Sequence, residues 1–271
     1  LRLVPAVLLV STAAIAYEIL RMRLRSIVQW QHFAYMVISL ALIGYGASGT
    51  AIALGRIWLE SRFRMAFAVC ALLFSVTLAG CWALGQQIPF NALEVVWNPR
   101  QLLLLGAMYL LFMVPFFFAA ACIGLAFTFR SGAAGRIYLF DLFGAGTGAV
   151  LIIELLFSLP AQHALVLLSL LALIAALIAG SGKVLRLSAI AWAALLVAGL
   201  QSGLFDPAPS EFKSLSKSLQ TTGSGVVTRR SSPLGQLTVV QSPTVPFRHA
   251  PGLSMATRYT PPEQLAVFRD G

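Results

Sequence analysis

The chain is short of charge. Charged residues fill 10% of its 271 positions, against about 25% in an ordinary soluble domain. Acids are scarcest, with nine Asp and Glu against nineteen Lys and Arg, for a formal net charge of +10. Lysine is scarce among the cations, three against sixteen arginines. So little polar side chain cannot cover a water-facing surface, which excludes an ordinary soluble globular protein. A hydrophobic share of 59% equally excludes a disordered one. Cysteine is sparse as well. Cys70, Cys81 and Cys122 lie inside apolar runs without a C-x-x-C pair, so no thiolate metal site or disulfide framework is indicated. His32, His163 and His249 are scattered without ligand spacing and read as interfacial or surface residues. The cation excess does not point to nucleic acid. Most cations sit in short gaps between apolar runs, as membrane topology signals do.

The apolar runs are what the sequence does have. A bilayer core of about 30 Å needs roughly 20 apolar residues as helix. Seven runs qualify: 3–20, 33–54, 65–84, 102–129, 139–159, 161–180 and 187–205. Backbone satisfaction in lipid makes each of them helical. The fourth is too long for an upright span, and Pro115 in its middle suggests a kink. Trp97 and Tyr109 lie near span ends, where interfacial aromatics collect. Residues 3–20 have the length of a signal peptide, but Tyr17-Glu18 interrupts the end and no A-x-A site follows.

The character changes at Phe205. Asp206-Pro207-Ala208-Pro209-Ser210 reads as a loop. Short β-type stretches follow at 226–229, 236–241, 254–259 and 265–268, separated by turn residues such as Ser232-Pro233-Leu234-Gly235. The expected fold class is an all-α polytopic membrane helical bundle of about seven spans, followed by a short β-rich soluble segment. The expected domains are a transmembrane domain over 1–205, a linker over 206–224 and the truncated start of a soluble domain over 225–271. The net charge divides into +7 over the first 205 residues and +3 over the remainder. Counted by alternate gaps, one side carries eight cations (Arg2, Arg56, Arg62, Arg64, Arg130, Arg136, Lys183, Arg186). The other carries six (Arg21, Arg23, Arg25, Arg100, Lys213, Lys217). That is a weak vote for the tail outside.

Three acids lie in or beside the spans. Intramembrane carboxylates are costly and mark function or a buried pair. Glu18 precedes Arg21 by three residues, so the two can meet on one helix face as an interfacial ion pair. A polar site between helices is the sharper reading. Asp141 precedes Gly144 and Gly148, a G-x-x-x-G pair that lets helices approach closely. The expectation for Asp141 is a helix entrance, where a carboxylate complements the helix dipole. Glu154 lies deeper and reads as the best buried polar partner. Span two carries Gly44, Gly46, Ser48, Gly49, Ala51 and Gly55, which suit either close packing or a transporter cavity.

At these residues the sequence resembles the membrane-embedded spermidine synthase-like (polyamine aminopropyltransferase-like) family. Gly135-Arg136-Ile137-Tyr138, then Asp141-Leu142-Phe143-Gly144-Ala145 and Gly148, is similar to that family's G-R-x-Y-x-x-D-L-x-G-A-x-x-G signature. Tyr17-Glu18-Ile19-Leu20-Arg21 at the end of span one resembles a Y-E…R stretch. Val114-Pro115-Phe116-Phe117-Phe118 with Gly124 resembles a P-F-F segment. Ser232 to Val240 resembles the strand that opens the soluble domain, and Pro251-Gly252-Leu253-Ser254 and Asp270-Gly271 resemble later parts of the same β region.

The resemblance implies a parent protein whose Rossmann-like domain, beginning after Gly271, takes decarboxylated S-adenosylmethionine as co-substrate. It would transfer an aminopropyl group to a polyamine, whose amine attacks the carbon beside the sulfonium. No residue of that active site maps onto this chain, so it is read as an inert piece of a longer protein. Catalytic, cofactor-binding and metal residues are therefore none; the polar and packing residues to watch are Glu18, Arg21, Tyr138, Asp141, Gly144, Gly148 and Glu154. Expected partners are the lipid bilayer and, for the parent, a polyamine; a homo-oligomer is left open, and no nucleic acid is expected. The expected location is a bacterial inner membrane, with the tail cytoplasmic because an adenosyl co-substrate requires it. A transporter of polyamines or related cations and a passive anchor are the alternatives.

Overall fold

A computed structural model describes residues 3–29, 36–250, 252–254 and 256–271. Arg2, His32 and Pro251, named above, and positions 33–35 of the second run lie outside the described residues. The helices are α1 (Leu3–Val28), α2 (Met36–Leu54), the short α3 (Arg56–Ser61), α4 (Phe63–Gly85), α5 (Pro99–Phe129), α6 (Ala134–Ser158), α7 (Ala161–Ala179), α8 (Lys183–Gln201) and the short α9 (Ser214–Leu219). Seven of them are long and apolar enough to cross a membrane. Three antiparallel strands follow in sheet order β1 (Gly225–Ser232), β2 (Gly235–Gln241), β3 (Ala266–Arg269).

Helix α1 is the centre of the bundle. It packs along α6 and α7 and touches α5 and α2, while α4 joins α5 to α7 and α8 leans on α7 and α4. The outer faces stay apolar: Leu42, Leu103, Phe143, Val150, Phe157 and Ile190 are all exposed. So much exposed apolar side chain suits a lipid solvent and not water.

Several boundaries differ from the sequence expectation, each for a local reason. α1 runs on to Val28, because Arg21, Arg23 and Arg25 are good helix formers and stay within its last turns, not in a gap. α5 starts at Pro99, where the Asn98 side chain accepts from the Arg100 amide at 3.2 Å; Asn before Pro is a helix start signal. α8 stops at Gln201 because Gly203 takes φ +72° and the Leu204 amide donates back to the Gly199 carbonyl at 2.9 Å, the Schellman arrangement. α6 starts at Ala134, so Asp141 lies two turns inside it and not at its entrance. Residues 254 and 256–259 form no strand.

Hydroxyls join the buried helices. Ser75 of α4 and Ser169 of α7 each donate to the other's backbone carbonyl, at 2.7 and 2.8 Å, and the Trp192 indole of α8 donates to both hydroxyls at 3.1 Å. Interhelical hydrogen bonds of this kind hold helices together where the surroundings offer no hydrophobic drive. Between α4 and α5, Glu94 is held below the usual carboxylate range by hydrogen bonds from Asn91, Asn98 and Gln101.

Candidate functional site

Three groups of polar residues in the bundle are built on α1. The first is the α1–α6 seam. A Cβ on Gly148 would stand 2.3 Å from the Thr12 carbonyl oxygen, and one on Gly144 would stand 2.6 Å from that of Leu8. Only glycine permits this approach. Hydroxyls then reach across. Ser11 donates to the Asp141 carboxylate, and the Thr12 and Thr147 hydroxyls lie 3.1 Å apart. Asp141, Gly144 and Gly148 therefore form one stripe, at the i, i+3, i+7 spacing of a helix face. The role of Asp141 is this bond across the seam, in place of the dipole contact expected from the sequence.

Glu18 and Arg21 do not pair. The ion pair among the described residues is Arg23–Asp270. Glu18 is half-buried, as is Tyr45 of α2. Gly44 and Ser48 of α2 turn inward, and a Cβ on Gly44 would meet Phe116 and Phe117 at 2.9 Å, whereas Gly46 and Gly49 face open space. Glu154 is exposed on α6 between exposed Val150 and Phe157, so it is not a buried polar partner. Tyr138 is also exposed.

The second group is the one the sequence did not reveal. Arg21 turns into the bundle and is 1% exposed. Its guanidinium stands 3.8 Å from the Phe112 ring centre and 5.3 Å from that of Trp82, and that of Arg25 stands 5.0 Å from the Phe112 ring centre. None of the three Arg21 nitrogens has a hydrogen-bond partner among the described residues, nor does the Tyr17 hydroxyl. Aromatic faces attract a desolvated cation by about 2 kcal/mol, which only partly offsets removal of the charge from water. Arg21→Met is therefore expected to keep the fold and raise the melting midpoint in detergent by about 2–4 °C. A lower midpoint would mean that Arg21 meets a counter-charge outside this chain. The i+4 spacing of Tyr17, Arg21 and Arg25 was the available signal, hidden by reading these arginines as loop charges.

The third group fastens the segment after the bundle to α1. Lys213, 5% exposed, donates to the Ser26 and Ile27 carbonyls at 2.7 and 2.9 Å and to the Asp270 carbonyl. It thus satisfies the open carbonyls at the α1 C-terminus, where a cation also suits the helix dipole. Asp270 accepts from Arg23 at 2.6 Å and from the Gln236 amide at 2.8 Å. The Ser210 amide donates to the Val28 carbonyl at 2.9 Å, and the Trp82 indole to that of Phe205 at 2.9 Å. Segment 206–224, expected as a linker, is tied to α1 at Ser210 and Lys213.

Burial pushes Lys213 from 10.5 down to about 8, with Asp270 opposing the shift and Arg23 adding to it. A released Lys213 keeps its proton up to about 10.5, so docking gives up a proton between those values. Raising the pH from 8 to 10 is then expected to favour the docked state. Amide exchange in β3, corrected for its intrinsic pH dependence, should show rising protection. Falling protection would show that the ammonium is the preferred docked form.

No family model, curated protein or solved structure matches the chain. Among the described residues no group of three or more His, Cys, Asp or Glu side chains could hold a metal. His163 is half-buried and His249 exposed, while Cys81 and Cys122 are buried and Cys70 half-buried. What the three groups offer together is a tight α1–α6 seam, a buried cationic end of α1 and a rigid attachment for a β-sheet.

Proposed function

We propose that the chain is the integral-membrane domain of a spermidine synthase-like protein, seating a soluble domain on one face of a bacterial inner membrane. The observation that carries this reading is the Arg23–Asp270–Lys213 junction, which fixes β2 and β3 against the end of α1. A passive anchor would need no such registration. Seven apolar helices with exposed Leu, Val and Phe on their outer faces support the membrane setting. No residue here is assigned to catalysis or to decarboxylated S-adenosylmethionine; the bundle positions the domain that would carry the transfer.

The charges set a demanding test. Three of the six cations counted for the tail side are inside α1, two of them buried with no ion pair among the described residues and one matched by Asp270. The free cations thus favour the opposite end more strongly, while an adenosyl co-substrate requires the tail in the cytoplasm. Protease should cut the tail in inverted vesicles and spare it in right-side-out ones. Membranes carrying the complete reading frame should transfer aminopropyl groups to a polyamine. A tail cut only from outside would overturn the transferase reading.

Half-buried Glu18 and the Ser11-bonded Asp141, two acids on helices of the bundle, support a second reading, an amine or related cation held within the membrane. Glu18→Gln and Asp141→Asn should then abolish polyamine flux in vesicles. Flux that is unchanged, or absent from the parent protein, would sink it.

A further inference from the structure

At the end of the bundle opposite the tail lies a cavity of about 1210 Å³. It is larger than the roughly 300–1,000 Å³ of common small-ligand sites. Three cations line it, Arg64, Arg130 and Arg136, and no acid does. None of the three forms an ion pair among the described residues. Arg130 lies over Phe63, 5.4 Å from the ring centre, so its charge is held at the wall.

The lining is graded along the helix axes. Arg64 and Arg136 sit in the first turns of α4 and α6, and Arg130 just past the end of α5. The lining further along the helices is apolar, with Leu72 and Phe140 in it. Leu72 lies eight residues past Arg64 on α4, about 12 Å further in. α4, α6 and α8 all begin here, with no acid in their first turns and no side-chain cap, so their dipoles add positive potential at the mouth. α8 packs on α7 and α4, and the cavity takes the space between its first turns and α6.

We propose that this cavity binds an anionic phospholipid, with the phosphate at Arg64, Arg130 and Arg136 and the acyl chains against the apolar depth. A free inorganic anion would not use the apolar part. A zwitterionic lipid would bring a cation to a mouth that has no acid to meet it. Basic pockets between helices select anionic headgroups for the same reason. The proposal rests on the membrane-spanning reading of the bundle.

The full chain is reconstituted in nanodiscs of mixed phosphatidylcholine and phosphatidylglycerol, and the lipid retained through detergent extraction is identified by native mass spectrometry. Phosphatidylglycerol should be retained in preference. Replacing all three arginines by Ala should weaken retention by about a hundredfold, while the triple Lys variant and Arg56→Ala, outside the cavity, should keep it. Equal retention of both lipids, or retention that survives the triple Ala substitution in folded protein, would overturn the proposal. Competition by millimolar inorganic phosphate alone would also overturn it, assigning the arginines to a free anion. Failure to enter nanodiscs at all would instead overturn the membrane reading beneath it.

Discussion

Gly148→Leu is expected to separate α1 from α6 and leave little folded protein. The side chain would begin 2.3 Å from the Thr12 carbonyl oxygen and 3.0 Å from its carbonyl carbon and Cα. These are backbone atoms of the central helix, so no rotamer change can yield room. Overpacking commonly costs about 1–3 kcal/mol, and a backbone obstacle places this case at or above the upper figure. The Thr12–Thr147 and Ser11–Asp141 contacts would part with it. Gly146→Ala is the matched control, since nothing stands within 4 Å of that position and the change should stay within about 1 kcal/mol. Size exclusion and thermal unfolding in detergent read both. A Gly148→Leu protein as stable as its parent would mean that α1 and α6 do not meet as described.

Asp270→Ala should release the β-sheet from the bundle without unfolding the bundle. It removes the acceptor for buried Arg23 and for the Gln236 amide, and breaking one partner of a buried pair costs about 3–5 kcal/mol. Arg23 and Asp270 are 6% and 19% exposed, so the lower part of that range applies, a rise of about a hundredfold in the open population. Asp270→Asn should do less. Asp270 holds φ +60°, a conformation that Asn accepts and Ala does not, and the amide oxygen can still take a hydrogen bond. Cleavage within 206–224 should therefore quicken in the order parent, Asn, Ala. Equal rates in all three would remove the junction from the attachment of the tail.

The seven long apolar helices were legible because a run of that length and hydropathy suits a helix, whose backbone bonds are all made within the segment. The small-residue spacing of Gly144 and Gly148 was legible as close packing. The partner helix was not, since any neighbour could have supplied the facing surface. Pairing of Glu18 with Arg21 was the natural reading of an i, i+3 spacing. It fails because Arg21 turns into the bundle against Phe112 and Trp82, while Glu18 stays half-buried. Glu154 misled for the same reason: depth in a span says nothing of direction, and the exposed face of α6 is settled by where α1 lies.

Composition and run length alone determined a helical chain of seven apolar segments, with a break at Phe205 where polar, strand-forming sequence begins. Low charge, one residue in ten, goes with helices whose outer faces are apolar. Only the tertiary structure decided which of those few charges stand alone, which are matched and which surround a cavity. Arg21 stands alone under aromatic rings, and Arg23 is matched by a residue 247 positions away. Arg64, Arg130 and Arg136 are drawn from separate helix ends to one mouth. Such pairings depend on how helices pack around α1, and local spacing carries no record of that.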